Sequence, residues 1–147
     1  MDINRLTQKS QEALHEAQTR AVRHGHTEVD GEHLLAALLE QPDGLVPRLL
    51  SQTGADPNKL RLELVAELAR RPRASGPGAA PGQVFVTQRL SRLLDAADRE
   101  ARRLKDEYVS VEHLALALVD EGVETAAGRL LRDQGVNRER FLAALSG

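Results

Sequence analysis

Apolar and small residues at Leu6, Ser10, Leu14, Ala17 and Ala21 recur at three- and four-residue intervals, which puts them on one face of a helix. Thr7 is placed to cap its start and Gly25 to end it. A second helix is expected from Asp30, whose short carboxylate can accept from free backbone N–H groups. The run Leu34, Leu35, Ala37, Leu38 makes that helix largely buried. "QPDG" breaks the chain, after which Leu45, Val46, Leu49 and Leu50 predict a short third helix ending at Gly54. Asp56-Pro57 pairs a capping residue with proline at the first helical position, and opens a fourth helix with Leu60, Leu64 and Leu68 inside.

The same plan then returns. Laying residues 6–40 on 86–120 without a gap gives 12 identities in 35 positions, where chance would give roughly two, so the unit is duplicated. "EVDGEHLLAALLE" in the first copy answers to "YVSVEHLALALVD" in the second. Thr87, Ser110 and Asn137 take the capping positions, with Leu90, Leu94, Ala97 and Ala101 on the inner face of the first helix and Phe141 and Leu145 on that of the last. Between the copies, "RRPRASGPGAAPGQ" carries three prolines and three glycines, which predicts a connecting strap without regular structure. The expected architecture is all-α: a single domain over 1–147, with repeat one at 3–70, the linker at 71–85 and repeat two at 86–146. Neither half is large enough to hide its apolar faces, so the two should pack as a pseudo-twofold body.

The 147 residues are 41% hydrophobic and 29% charged, which is ordinary folded material. A net charge of −2 argues against a nucleic-acid partner, and Phe85, Tyr108 and Phe141 are too few to stack bases. No run approaches the roughly 18–20 apolar residues of a membrane span, and "MDINRLTQKS" lacks a signal-peptide core. Without cysteine there is no disulfide or thiolate chemistry. A cytoplasmic address and no membrane partner are the expectations.

Catalytic patterns are absent: there is no phosphate-binding G-x-x-x-x-G-K-[ST], no G-x-S-x-G and no H-E-x-x-H. The expectation is a non-catalytic chain with no cofactor of its own. His24-Gly25-His26 could offer two imidazoles to a metal, but the second copy has Leu104-Lys105-Asp106 there. A solvated helix end without metal is expected. His33 and His113 open buried helices and are expected to bond a neighbouring backbone group, with a pH switch or a catalytic base as the other reading. Glu32 and Glu112 leave two readings open. Each lies in a first helical turn, where the macrodipole favours a carboxylate, and each could also offer acceptors to a cationic or amide ligand near the groove between units. Thr7 and Thr87 read first as caps, with neighbouring N–H groups free for a peptide carbonyl.

"RLTQKSQEALHEAQ", "HTEVDGEHLLAALL", "LLSQTGADPNKLR", a broken linker and a second "DEYVSVEHLALAL" resemble the double Clp-N domain at the amino end of Clp/Hsp100-type AAA+ unfoldases, in particular the ClpB-type disaggregases. The resemblance runs from Asn4 to Leu145. It implies a mobile domain that captures unfolded or aggregated polypeptide for threading by nucleotide-binding modules outside this chain. Those modules would supply the ATP and Mg chemistry and the hexamer contacts of the parent, leaving the isolated domain a monomer. A DnaK/DnaJ/GrpE-type system would cooperate through another part of the parent. The resemblance makes Thr7, Asp106 and Glu112 substrate-binding residues, and Glu32 and Thr87 join them as the repeat partners of Glu112 and Thr7. The alternative it implies is a ClpC-like domain that docks an adaptor or reads phosphoarginine through the two "EH" glutamates. The flanking "VDG" and "VSV" depart from that branch's Gly-Thr-Glu-His.

Overall fold

The computed structural model describes residues 1–73 and 84–147. Eight helices follow the repeat: α1 (Gln8–Arg23), α2 (Gly31–Leu39), α3 (Leu45–Gln52) and α4 (Pro57–Arg70), then α5 (Gln88–Arg103), α6 (Val111–Asp120), α7 (Ala126–Asp133) and α8 (Arg138–Ser146). The fold is all-α, as expected. Thr7 and Thr87 cap α1 and α5 by accepting from the Ser10 and Leu90 amides, at 3.2 and 3.0 Å. Asp56 caps α4 through the Asn58 and Lys59 amides, with Pro57 at the position where a missing N–H costs nothing. Gly25 ends α1 in the left-handed region at φ 72°; its repeat partner Lys105 does the same at φ 62° with a side chain attached.

Helices α2 and α6 form the centre. Every residue of α2 is buried, and along α6 from Val111 to Val119 only Glu112 is not. A helix apolar all round must be enclosed on all sides, and the two repeats enclose each other. Helix α2 packs against α5, α6 and α7 of the other repeat, α3 against α6 and α8, and α4 against α7. Leu60, Leu64 and Leu68 of α4 are fully buried, each worth about 1.5–3 kcal/mol of transfer free energy.

The expected strap departs from its description at one end. Residues 74–83 lie outside the described residues, but Phe85–Val86 forms a two-residue strand, β2, parallel to β1 (Glu28–Val29). The Phe85 amide donates to the Thr27 carbonyl at 2.9 Å, and the Thr87 amide to that of Val29 at 3.3 Å. Under the 80-residue shift that relates the repeats, the mate of this pairing is a bridge between Leu6 and Val109. Each repeat therefore sends the residues before its first helix across to the other, which the local composition could not reveal.

Candidate functional site

An apolar cleft of about 340 Å³ opens at the seam, between α1 and α5. Leu14 of α1 and Leu94 of α5 are repeat partners and form its walls, with Leu90 beside them, buried Val29 at its base and exposed Val86 completing the lining. A second cleft of about 230 Å³ shares Ile3, Leu14 and Leu94 with the first and adds Leu6 and Asp95. Gln11, His15 and Gln18 give the first cleft a polar, mostly uncharged margin. Ile3 is 64% exposed, an aliphatic side chain left at the mouth. A larger cleft of about 600 Å³ lies within repeat one, between α1 and the end of α2. Its lining side chains are mostly charged or amide-bearing, among them Gln8, Lys9, Glu12, Glu16 and Glu40. Unlike the seam cleft, it draws on one repeat alone.

Beside the seam stands an ionic junction. The Glu32 carboxylate, wholly buried, accepts two parallel bonds from the Arg89 guanidinium at 2.8 Å each, one from Arg71 at 2.6 Å and one from the Ala127 amide at 2.9 Å. Burial alone would raise the pKa of this carboxyl, but the two guanidiniums and the amide outweigh it and hold the group down at about 2. Arg89 also bonds Glu121, at 2.9 and 2.7 Å, and lies 3.2 Å from Asp30, so burial is again outweighed and its pKa is raised. The Thr87 hydroxyl donates to Asp30 at 2.9 Å. One cluster thus ties α2, α5, α7 and the residue after α4 together. The planar fork of arginine suits it, since a carboxylate can be met by two N–H groups at once.

The other end of each central helix start is closed by histidine. His33 Nδ1 accepts from the Asp30 amide at 2.9 Å, and His113 Nδ1 from the Ser110 amide at 2.8 Å. Each imidazole then uses Nε2 outward, toward His26 Nδ1 at 2.8 Å in repeat one and toward the Asp106 carboxylate at 2.7 Å in repeat two. His26 and Asp106 are repeat partners. The expectation of a solvated end at His24-Gly25-His26 is therefore corrected. His26 is buried, drawn in by His33 and stacked on His24 with ring centroids 5.1 Å apart. No group of three or more potential metal ligands occurs among the described residues.

A family model for the Clp repeat (R) N-terminal domain matches residues 5–134. The chain belongs to that family. It is 53% identical over 145 residues to the chaperone protein ClpB of Nitratidesulfovibrio vulgaris, covering 99% of this chain and 17% of that protein. It is 42% identical over 146 residues to ClpB of Pseudomonas putida, covering 99% and 16%. The Hsp104 N-terminal domain of Candida albicans shares the fold at a TM-score of 0.77 and 17% identity, over 95% of this chain and 87% of that one. The N-terminal domain of ClpD from Arabidopsis thaliana does so at 0.69 and 24%, over 99% and 98%. The chain spans under a fifth of the length of its ClpB relatives.

In this Clp repeat domain the five residues singled out in the sequence fall into separate places. Thr7 accepts from the Ser10 amide and donates to the Ser10 hydroxyl at 3.0 Å; that hydroxyl donates to the Val109 carbonyl across the seam at 2.9 Å. Thr87 and Glu32 meet in the ionic junction. Asp106 is half exposed and bound to His113. Glu112 is half-buried, with no ion pair or hydrogen bond among the described residues. None of the five lines the apolar cleft. Arg89, Arg71 and Leu94 were not singled out as a site. Two repeat differences carried a signal for Arg89: it stands where repeat one has Lys9, and Gly31 stands where repeat two has Val111. A Cβ on Gly31 would come 2.7 Å from Arg89 Nη2, so the glycine and the arginine belong together.

Proposed function

We propose that this Clp repeat domain is a non-catalytic capture module of a ClpB-like, ATP-dependent disaggregase. It holds apolar segments of unfolded or aggregated polypeptide for threading by AAA+ modules elsewhere in a hexameric parent. ATP and Mg act in those modules, and a DnaK-type system cooperates through another part of the parent in the cytoplasm. The observation that carries this reading is the Leu14–Leu94 cleft: paired aliphatic walls from both repeats, a polar uncharged rim, and a size suited to a few side chains rather than a folded partner. A cleft this small binds weakly. Weak sites suit a ring of six, where number supplies avidity and each client can still be released. Asp106 and Glu112 offer carboxylates to cationic side chains of the client. Thr7 and Thr87 hold the helix starts beside the cleft, and Glu32 sets the distance between the repeats.

Binding of a fluorescent, permanently unfolded reporter protein tests this. Leu14→Asn and Leu94→Asn, at half-buried positions, are expected to weaken binding by about tenfold, or about 1.4 kcal/mol, with helicity retained. Unchanged affinity in both variants would take the cleft out of the function. The ClpC-like alternative draws support from Glu112, whose carboxylate is partly open. At Glu32 it meets an obstacle, because Arg89 already occupies the place that a modified arginine would need. Titration with free phosphoarginine separates the readings: saturable NMR shifts around Glu112 favour the alternative.

A further inference from the structure

We infer that the His26–His33 hydrogen bond is an acid-sensitive latch on the start of α2: protonation of the pair frees the Asp30 amide and loosens the β1–β2 seam, while the matching His113–Asp106 bond of repeat two stays closed.

The proton positions are dictated by the donors. The Asp30 amide can only donate, so His33 Nδ1 must be an acceptor, and the ring proton of neutral His33 sits on Nε2. That N–H points at His26 Nδ1, which must then be an acceptor too, leaving the His26 proton on Nε2. His26 Nε2 is buried with no hydrogen bond among the described residues, although the Leu68 carbonyl of α4 approaches it. The relay therefore has no place for one more proton. Added at His26 Nδ1, it faces the N–H of His33 at 2.8 Å. If His33 turns over its tautomer to relieve that clash, its own Nδ1–H faces the Asp30 amide. Either way two donors oppose each other in a buried space, and one of the two bonds must break.

The surroundings oppose the proton as well. His24 stacks on His26; past the end of α4, Arg73 acts on His24 and His26, and Arg71 on His26 and His33; Arg20 of α1 faces His24. Against them stand the Asp30 cap and Glu28 of β1, both on the wall of a small cavity beside the pair. Burial first, and then these cations, hold His26 below the usual imidazole range and His33 down at about 4. The unfolded or opened segment takes up protons near pH 6.5. In the closed segment His33 refuses one until about pH 4 and burial makes His26 resist one as well, so closure is favoured above pH 6.5 and loses ground steadily below it. Repeat two has the same His113–backbone bond, but its outer partner is the Asp106 carboxylate, which goes on accepting from Nε2 when the ring takes a second proton. What the latch holds is not incidental. Between His26 and His33 lie β1, Val29 at the base of the apolar cleft, and the Asp30 carboxylate that receives Thr87.

Amide hydrogen exchange offers an internal control, because Asp30 and Ser110 donate to equivalent imidazoles. Between pH 7 and 5, corrected for intrinsic rates, protection of the Asp30 amide is expected to fall at least about tenfold, and that of Ser110 by clearly less, because His113 keeps its outer bond to Asp106 when protonated. His26→Asp, which installs the carboxylate of repeat two, is expected to abolish the difference. Constant protection at Asp30, an equal loss at Ser110, or a difference that survives His26→Asp would overturn the latch. Ring-nitrogen NMR of the unaltered protein stands independently of whether that variant folds: the His33 proton is expected on Nε2 at pH 7, and finding it on Nδ1 would also overturn the inference.

Discussion

Glu32 and Arg89 meet across the repeat seam in two parallel bonds of 2.8 Å, with the carboxylate wholly out of water. Its repeat partner Glu112 has the same place on its own helix and no such clasp among the described residues. Two positions with the same letters thus do different work. Removing one partner of a buried ion pair strands the other, which costs about 3–5 kcal/mol. Glu32→Gln is expected to lose stability in that range by denaturant unfolding, and Glu112→Gln to stay within about 0.5 kcal/mol. Equal losses would contradict the asymmetry.

Acid should reveal the same contact. The Glu32 carboxyl is held at about 2, against 4.5 when free. Its stabilisation is complete above pH 4.5 and is lost as pH falls toward 2. The drop in melting temperature over that window should be smaller in Glu32→Gln than in the unaltered chain.

Gly31 leaves room for the guanidinium. In Gly31→Ala the new Cβ would lie 2.7 Å from Arg89 Nη2 and 3.2 Å from Leu118 Cδ2. Crowding of this kind costs about 1–3 kcal/mol. If the arginine is the obstacle, Arg89→Ala should erase part of the Gly31→Ala penalty in a double-mutant cycle; additive penalties would place the clash elsewhere.

Lys105 turns the chain at φ 62°, where Gly25 does so in repeat one. A side chain in that region costs about 1–2 kcal/mol, offset in part by the smaller freedom of lysine over glycine when unfolded. Lys105→Gly is therefore expected to stabilise the protein by about 0.5–1 kcal/mol, measured by thermal or denaturant unfolding.

The helices and their caps were legible because they depend on neighbours a few positions away: Thr7, Asp30, Asp56 and Thr87 each serve amides within three residues of themselves. The contacts that shape the seam were not. Phe85 stood in a stretch whose prolines and glycines argued against regular structure, and found its strand partner in Glu28, far back in the chain. Arg89 lies on an amphipathic helix, and its carboxylate partner Glu32 is 57 positions away. His26 looked like a solvated helix end, because nothing in its local sequence shows that His33 lies within reach of it.

What the sequence determined on its own was the duplication, the eight-helix all-α plan and the family, since periodicity, capping and self-similarity are short-range properties written along the chain. Only the tertiary structure decided which copy of a repeated residue is enclosed and which is open. Glu32 and Glu112, or His26 and Asp106, acquire different roles because the two repeats interlock through non-identical neighbours. Desolvation and ion pairing act through space, and sequence distance does not measure them.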